Sequence, residues 1–289
     1  MKMTTLLFRL GAPIIRRLPN RPNKIRAVVA LRWARIPADG LKVHEVVPGV
    51  FLELQLNEWL QRLYFLNEGD DAAELLAARE TGLILDIGAN IGFHTCALAR
   101  RGNEVMAFEP LKANLVRLEG NVKLNRLSKV RIERCALSNR SGEVDIFVPP
   151  GWGLSTGAAR LGNPGGWDLA ETIPMQLLDD FQLRDVSLIK IDVEGHEIEV
   201  LRGFDIARWK PRLILLEDHV GNLSKHRYLL GAGYRIIRRY ENNGWYVPRE
   251  SAVKCGWTDR WEVVRKYYLA LPFRVLRNFS RRLRKPITS

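Results

Sequence analysis

A short apolar strand that runs into a glycine-bearing turn constrains the fold of this chain more than any other feature. The run Leu83–Ile87 (LILDI) has glycine on both sides, as expected of a strand buried on both faces of a parallel sheet. Gly88 and Gly92 then precede a stretch, 93–101, with the composition of a helix. A strand, a glycine-bearing turn and a helix in this order predict an α/β fold in which the turn approaches a ligand closely.

Strand-like and helix-like segments alternate along the rest of the chain. Further strands are predicted at 105–108, 130–135, 142–148, 188–191, 213–216 and 234–237, and helices at 71–80, 93–101, 111–124, 197–201 and 223–230. A run at 244–247 fits a final antiparallel strand. Strands separated by helices in this way predict a doubly wound, mostly parallel sheet.

The basic residues are concentrated at the two ends of the chain. The formal net charge is +13, from 45 Lys and Arg against 32 Asp and Glu. Residues 1–36 and 263–289 contain 17 of these cations and no acid, so the segment between them is net acidic. A protein that reads duplex nucleic acid would carry its positive surface on the folded domain, so we expect no sequence-specific nucleic-acid binding.

These patterns divide the chain into three predicted regions. Residues 1–70 form a basic N-terminal arm and cover segment, residues 71–250 the α/β domain, and residues 251–289 a basic amphipathic extension. The glycine-rich stretch 149–174 breaks the alternation and is predicted to be a substrate-side loop. Its Trp152 and Trp167 either stack on a sugar ring or anchor the loop by ordinary packing.

The C-terminal extension combines aromatic with basic residues. Between Trp261 and Lys285, apolar residues recur every three to five positions with cations between them, which predicts a surface helix interrupted near Pro272. Such a helix can lie on an anionic membrane through residues 263–289, or pack on the domain with its basic face in water. No signal-peptide pattern, long apolar run or paired cysteine motif is found. We therefore expect a cytoplasmic protein whose extension is the candidate for peripheral contact with the inner membrane face.

The turn after the first buried strand differs from that of a dinucleotide site. A nicotinamide-binding turn reads GxGxxG, whereas here Asn90 stands at the middle glycine and Phe93 at the last, which suits a ligand without a pyrophosphate. Asp86 lies at the strand end, and Glu109 follows 23 residues later at the end of the next strand. A carboxylate at that second position accepts hydrogen bonds from ribose hydroxyls, so a nucleoside-containing ligand is predicted.

Four stretches occur in an order that resembles the FkbM-type S-adenosylmethionine-dependent methyltransferase family: LDIGANIGFHT, FEPLKANLVRLEGNVKLN, ALSNRSGEVDIFV and LIKIDVEGHEIEVLRGF. The resemblance extends from about Gly82 to Glu217. It implies a Rossmann-like class I methyltransferase with a mostly parallel seven-stranded sheet, to which the basic terminal extensions are added. It also implies S-adenosylmethionine as the cofactor.

The same resemblance implies roles for individual residues. The methionine part of the cofactor would lie against Asp86, Gly88, Asn90 and Gly92. The ribose would lie against Glu109, and the adenine would lie beside Ala136, Leu137 and Ser138. Asp192 would face the sulfonium and the acceptor. Asp86 and Asp192 have a structural alternative, since each could cap the helix that follows it.

Candidate catalytic residues gather where a predicted strand ends at Ile191. A hydroxyl acceptor needs a base, and the candidates are His196 and His219, with Asp192 and Glu194 beside them and Glu217 on the same ledge. His196 could instead be a solvated residue in a helix's first turn, and Glu194 could simply stabilise the helix dipole. Asp192 and Glu194 could also hold Mg²⁺, but two carboxylates do not complete a site, so no metal is predicted.

The sequence lacks two features that particular classes of methyltransferase need, and this limits the classes of methyl acceptor that we expect. The position after the strand at 188–191 lacks the Asn/Asp-Pro-Pro-aromatic turn in which base-amino methyltransferases resemble one another, and it has no cysteine nucleophile for carbon methylation. We therefore predict O-methylation of a sugar, glycolipid or related small-molecule or natural-product hydroxyl. Two alternatives stay open: an RNA methyltransferase that grips phosphates with its basic tails, and a non-catalytic S-adenosylmethionine-binding protein.

Overall fold

The computed structural model describes residues 8, 10–15, 40–66, 82–150, 157, 159–240, 242–273 and 275. The helix predicted at 71–80, most of the N-terminal arm and Trp152 lie outside these residues. In chain order the elements are β1 (Lys42–Val47), β2 (Val50–Leu54), α1 (Trp59–Phe65), β3 (Leu83–Ile87), α2 (Phe93–Arg100), β4 (Glu104–Phe108), α3 (Lys112–Leu124), β5 (Val130–Glu133), β6 (Ala136–Leu137), β7 (Gly142–Val148), β8 (Arg160–Leu161), β9 (Asp168–Gln176), β10 (Val186–Ile191), α4 (Glu197–Arg202), α5 (Ile206–Trp209), β11 (Leu213–Glu217), α6 (Ser224–Gly231), β12 (Tyr234–Tyr240), β13 (Asn243–Pro248) and α7 (Trp257–Val263), which continues as a π-helix (Val264–Leu269).

A seven-stranded sheet has the order β12-β13-β11-β10-β3-β4-β5. β10 pairs in parallel with both β3 and β11, and β4 pairs in parallel with β5. β13 is antiparallel to β11 and β12, which confirms the final antiparallel strand predicted at 244–247. The α/β fold with a mostly parallel, Rossmann-like seven-stranded sheet is therefore confirmed.

Strand β10 is buried along its whole length, as a parallel strand with both faces covered should be. Its register places Ile189 beside Leu85 of β3 and beside Ile214 of β11. Its polar residues are Ser187 and Lys190, and Lys190, the charged one, is only 6% exposed. A charged side chain at such a position needs a partner, and its partners belong to the candidate site.

The segment 40–66 is more regular than the sequence analysis predicts. Its β1–β2 hairpin turns at Pro48 and Gly49, where the glycine has a φ of 77°. Val50, Leu52 and Leu54 alternate inward along β2 with exposed residues between them. The period-2 pattern is present in the sequence, but it is only five residues long and lies next to a proline-punctuated basic region, which hides it.

The predicted substrate-side loop at 149–174 contains strands in its described part, and its position on the substrate side stays a prediction. β8 and most of β9 fall inside it, and they belong to a four-stranded sheet of order β6-β9-β7-β8. Three of the six glycines in this stretch, Gly162, Gly165 and Gly166, lie between these two strands, and all three have positive φ. This part of the glycine content therefore marks a turn between strands.

Contacts within the chain divide the protein into two compact units. The first comprises residues 1–81, 88–136 and 143–174. Its hairpin packs Val46 and Leu52 against Phe93 and Cys96, and the ring of Tyr64 stacks on Phe93 at 4.7 Å. The side chain of Asn125, which follows the last residue of α3, both donates to and accepts from the backbone of Phe51 in β2. The C-terminal end of α3 is thus joined to strand β2 of the hairpin.

The second unit comprises residues 82–87, 137–142 and 175–289. It contains β3 and β10–β13, together with the C-terminal helical segment. That segment bends at Ala270, two residues before the predicted interruption at Pro272. Across the described ranges, the helices are all too short or too polar to cross a membrane.

Candidate active site

The turn after β3 adopts a backbone conformation that favours glycine at two of its positions. Gly88, Asn90 and Gly92 have φ values of 80°, 51° and 93°. A Cβ atom on Gly92 would lie 2.6 Å from Cδ1 of Leu118 on α3. Gly92 is therefore required both for its positive φ and for the close approach of α3.

The backbone amides of this turn all donate to acceptors within the protein. Gly88 and Ala89 donate to the carbonyl of Phe108, Asn90 to Oε2 of Glu109, Ile91 to Oδ1 of Asn90, and Gly92 to the carbonyl of Ala89, at 2.8–3.0 Å. A phosphate cradle needs free N–H groups that point at the ligand. The turn thus fits a ligand that is not held through a phosphate, as its sequence predicts.

Glu109 holds this turn against the start of α3. It is 5% exposed, and in addition to Asn90 its carboxylate accepts from the backbone of Leu111 at 3.0 Å and from the side chain of Asn114 at 3.2 Å. Glu109 therefore has a structural role that the sequence analysis missed, and its ribose contact remains a prediction.

A buried lysine joins two of the predicted site carboxylates in the second unit. Lys190 Nζ lies 3.3 Å from Oδ1 of Asp86 and 3.5 Å from Oδ2 of Asp192. Asp86 is fully buried, whereas the Asp192 side chain is 39% exposed. One positive charge thus faces two negative ones, and the group keeps a net negative charge. Lys190 was missed, although a lysine inside the apolar run LIKI is the signal that could have found it.

His196 lies in a cluster of its own. Its Nε2 is 2.9 Å from Oγ of Ser138, and its Nδ1 is 3.8 Å from Oε2 of Glu199. Burial is the main reason why its pKa lies below the usual value, so the ring is neutral at pH 7. Ser138 follows the buried pair Ala136 and Leu137 of β6, the residues predicted to lie beside the adenine. The structure therefore places His196 next to Ser138 and at the N-cap of α4, rather than in a solvated first turn.

A second cluster lies at the carboxyl ends of the neighbouring strands β10 and β11. One ligand atom from each of Glu194, Glu217 and His219 lies within 4.8 Å of the others, and Nε2 of the exposed His219 is 3.4 Å from Oε1 of Glu217. Glu194 has a φ of 53°, so its backbone is in the left-handed region and not in a strand or right-handed helix conformation. Three such donors could hold a divalent cation if Glu217 were ionised, and this grouping brings Glu194 together with Glu217 and His219.

Glu217 is the most perturbed carboxyl group of this cluster. Its pKa is raised to about 9, mainly by burial, with further contributions from the charge of Asp192, a side-chain hydrogen bond with Asp192 and the charges of Glu194 and Glu197. Glu217 is therefore protonated at neutral pH. Lys225 offsets part of the surrounding charge, because its Nζ lies 2.9 Å from Oε2 of Glu197 and 3.1 Å from the carbonyl of Glu217.

The loop that carries His219 is fixed by the buried Asp218. Oδ1 of Asp218 accepts from the backbone of Val220 at 2.9 Å, and Oδ2 accepts from the hydroxyl of Tyr267 at 3.1 Å. Val220 has a φ of 46°, a strained value for a β-branched residue. Arg239 donates to Tyr267 at 2.8 Å and to the carbonyl of Asp218. The C-terminal segment thus holds the backbone on which Glu217 and His219 sit.

Trp167 is one of the two tryptophans for which either sugar stacking or ordinary packing is predicted, and a cation lies over its ring. The guanidinium of Arg160 lies 5.6 Å from the ring centroid, within range of a cation–π contact. This contact supports the packing alternative for at least one face of the ring, and stacking on a sugar stays a prediction.

Comparison with known proteins identifies relatives of the chain. Residues 86–240 match the family described as "Methyltransferase FkbM domain". The chain is 30% identical over 170 residues to the hexuronic acid methyltransferase AglP of Haloferax volcanii, a match that covers 58% of this chain and 70% of AglP. It is 32% identical over 196 residues to the 31-O-demethyl-FK506 methyltransferase FkbM of Streptomyces tacrolimicus, covering 55% of this chain and 75% of that protein.

Among solved structures, the crystal structure of methyltransferase FkbM from Methylobacillus flagellatus KT aligns with 19% identity and a TM-score of 0.44. That alignment covers 65% of this chain and 54% of the other. The family match spans more than half of the chain, and the chain covers more than two thirds of both relatives in the sequence comparison. The protein therefore belongs to the FkbM family of S-adenosylmethionine-dependent methyltransferases.

Proposed function

We propose that this enzyme transfers a methyl group to a hydroxyl of a sugar, a glycolipid or a related small molecule. The observation that carries the proposal is the exposed imidazole of His219, held beside Glu217 and Glu194 where β10 and β11 end. Open α/β sheets bind their ligands at this edge. The names of two relatives, a hexuronic acid methyltransferase and a 31-O-demethyl-FK506 methyltransferase, support a sugar or small-molecule acceptor.

The cofactor proposed for this reaction is S-adenosylmethionine, which when bound supplies a methyl group on a positively charged sulfur. The described residues fit such a group, because the turn offers no free phosphate-binding amides and the Asp86–Lys190–Asp192 group is net negative. The residues that we propose to hold it are Asp86, Gly88, Asn90, Gly92, Glu109, Ala136, Leu137 and Asp192.

His219 is proposed to remove the acceptor's proton. A proton on Nε2 directed at Oε1 of Glu217 orients the ring and leaves Nδ1 to accept the proton of the hydroxyl. Glu217 can accept that bond in its protonated form, since only one of its two carboxyl oxygens then carries the proton. The carboxylates of Asp192 and Glu194 stabilise the imidazolium that forms, through their negative charge.

The test is transfer of labelled methyl groups to sugar, glycolipid and RNA extracts by the full chain and by His219→Gln. We expect label in the sugar or glycolipid fraction, and a loss of about 100-fold or more in His219→Gln, as for other general bases. His44→Gln, on the β1 hairpin, is the matched control and should retain activity. Label confined to RNA, with binding that weakens steeply with salt, would contradict the proposal.

S-adenosylhomocysteine binding separates cofactor binding from chemistry. His219→Gln should keep the rise in melting temperature that this ligand produces in the wild type, because His219 has no proposed cofactor contact. A chain that binds the ligand but methylates none of the extracts would be a non-catalytic binder.

His196 is proposed to act through Ser138. Because its Nε2 lies 2.9 Å from Oγ of Ser138, the ring positions the turn proposed to lie beside the adenine. His196→Gln should therefore raise KM for S-adenosylmethionine more than it lowers kcat. A loss of kcat at unchanged KM would identify His196 as the base instead.

The contact between the C-terminal extension and an anionic membrane remains part of this proposal. Its support is the absence of acids in residues 263–289 beside eight cations. The described part of the extension contains the residues that are candidates for this contact.

A further inference from the structure

The C-terminal helical segment, Trp257–Leu269, has two apolar faces. One face carries Val263 and Tyr267, which are buried against Val220. The other face carries residues at 257, 261, 264 and 268, a spacing of four, three and four that places them along one side of a helix. The inward face accounts for the packing of the segment, and the outward face needs a separate explanation.

The outward face exposes large aromatic side chains to an unusual degree. Trp257 is 84% exposed, Trp261 55%, Tyr268 51% and Val264 41%. Tryptophan and tyrosine side chains of this size are usually buried unless they bind something. Since both residue types are also enriched where proteins meet the lipid–water interface, their grouping on one helix face favours a bilayer as the partner.

The charge of the segment is complementary to an anionic surface. Residues 257–289 contain nine Arg and Lys and only two acids, Asp259 and Glu262. Both acids are already paired, Asp259 with Arg238 at 3.4 Å and Glu262 with Arg265 at 2.7 Å. Within Trp257–Leu269 the three cations exceed the acids by one, and the other six cations of residues 257–289 lie outside the described residues. The sequence from 257 to 289 is therefore net positive, with little negative charge to repel an anionic lipid.

We propose that the enzyme docks on an anionic lipid bilayer through Trp257, Trp261, Val264 and Tyr268, while the opposite face of the same segment stays packed in the second unit. This surface begins six residues before the predicted 263–289 and excludes Tyr267, which faces inward. Cations at 274–289 follow the surface in the sequence and add electrostatic attraction. The inference rests on the membrane contact named in the proposed function and deepens it by assigning the residues that make the contact.

The experiment is sedimentation of the full chain with phosphatidylcholine vesicles that do or do not contain one third phosphatidylserine. Trp257→Ser/Trp261→Ser removes two outward aromatics, and Val116→Ser/Leu169→Ser removes two equally exposed apolar residues elsewhere. Wild type and the Val116/Leu169 variant should bind anionic vesicles alike, and the Trp257/Trp261 variant at least tenfold more weakly. Binding should fall further without phosphatidylserine or at high salt.

Three results would overturn the proposal. They are absence of vesicle binding by the wild type, equal binding by the two double variants, and a wild-type dimer that becomes monomeric in Trp257→Ser/Trp261→Ser. The last would identify the aromatic face as a contact between copies of the chain. Thermal shift with S-adenosylhomocysteine should be the same in all three proteins. Failure of docking would thereby be distinguished from damage to the proposed cofactor site, and methyl transfer to a soluble extract by the same proteins would report the proposed activity separately.

Discussion

Lys190 Nζ lies 3.3 Å from Oδ1 of Asp86, and both side chains are buried in the strands β10 and β3. A charge in such a place is stable only while its partner is present, because the cost of removing a single ion from water amounts to several kcal/mol. The pair therefore links the stability of the second unit to the proposed cofactor site.

Lys190→Met should destabilise the protein by about 3–5 kcal/mol, because it leaves Asp86 buried without its cation. The measurement is the free energy of unfolding in urea. Lys123→Met, on the exposed side of α3, is the control and should change stability by less than about 0.5 kcal/mol. The double variant Asp86→Asn/Lys190→Met should recover part of the loss, since neither charge is then buried. An additive loss in the double variant would show that the two charges do not stabilise each other.

Glu217→Gln should become more stable than the wild type as the pH rises. Glu217 has a pKa of about 9 in the folded protein against 4.5 for the unperturbed group, so above about pH 5 the folded state holds a proton that the unfolded chain has released. The contribution of this group to the free energy of unfolding therefore falls between about pH 5 and pH 9.

Thermal unfolding at several pH values checks this prediction. Glutamine mimics the protonated form and does not titrate, so Glu217→Gln should exceed the wild type by at least about 1 kcal/mol at pH 8 and match it more closely at pH 5. Glu143→Gln, an exposed change on β7, should follow the wild-type pH profile. Parallel profiles for Glu217→Gln and the wild type would mean that Glu217 is ionised in the folded state.

Gly92→Ala should destabilise more than Gly102→Ala. Both glycines have nearly the same φ, 93° and 91°, so both alanines incur about 1–2 kcal/mol of backbone strain. A Cβ on Gly92 also meets Leu118, whereas one on Gly102 meets nothing within 4 Å. The difference between the two variants, expected to be about 1–3 kcal/mol in urea unfolding, measures the overpacking alone. Equal losses would show that α3 moves away freely.

Tyr267→Phe should loosen the loop that carries His219. Loss of the hydroxyl leaves Asp218 and Arg239 each without one buried hydrogen bond, which costs about 1–3 kcal/mol. Tyr268→Phe, one residue later, removes a longer hydrogen bond of 3.3 Å to His226 from a half-exposed side chain, so it should cost less than about 1 kcal/mol. If Tyr267 positions the loop, its variant should also lower kcat and shift the pH profile of methyl transfer. A loss of stability with an unchanged pH profile would restrict Tyr267 to a structural role.

Local patterns were enough to predict most of the sheet. β3, β10 and β11 are continuous apolar runs, and parallel strands covered on both faces have that composition, so their positions agree with the prediction to within two residues. The β1–β2 hairpin was missed because its five-residue alternation competes with neighbouring prolines and cations. The strand in the predicted loop was missed because its first residues, DLAET, are mostly polar and exposed.

The site was predictable only where its residues follow one another in the chain. Residues 86–92 and 192–196 occupy the strand ends where the sequence analysis put them. The contacts between Lys190 and Asp86, and between Tyr267 and Asp218, join residues that are far apart in the chain. Such pairings are made by the topology of the sheet and by the return of the C-terminal segment, which no local period records.

The self-contained hydrogen bonding of the turn at residues 88–92 has a consequence for turnover. All five backbone amides of the turn already donate hydrogen bonds to acceptors within the protein, so the turn is ordered without a ligand. The conformational entropy of this turn is therefore lost when the chain folds, and it is not lost again in each catalytic cycle. A methyltransferase must expel a spent cofactor and admit a fresh one after every transfer, and a turn that needs no rebuilding adds no delay to that exchange.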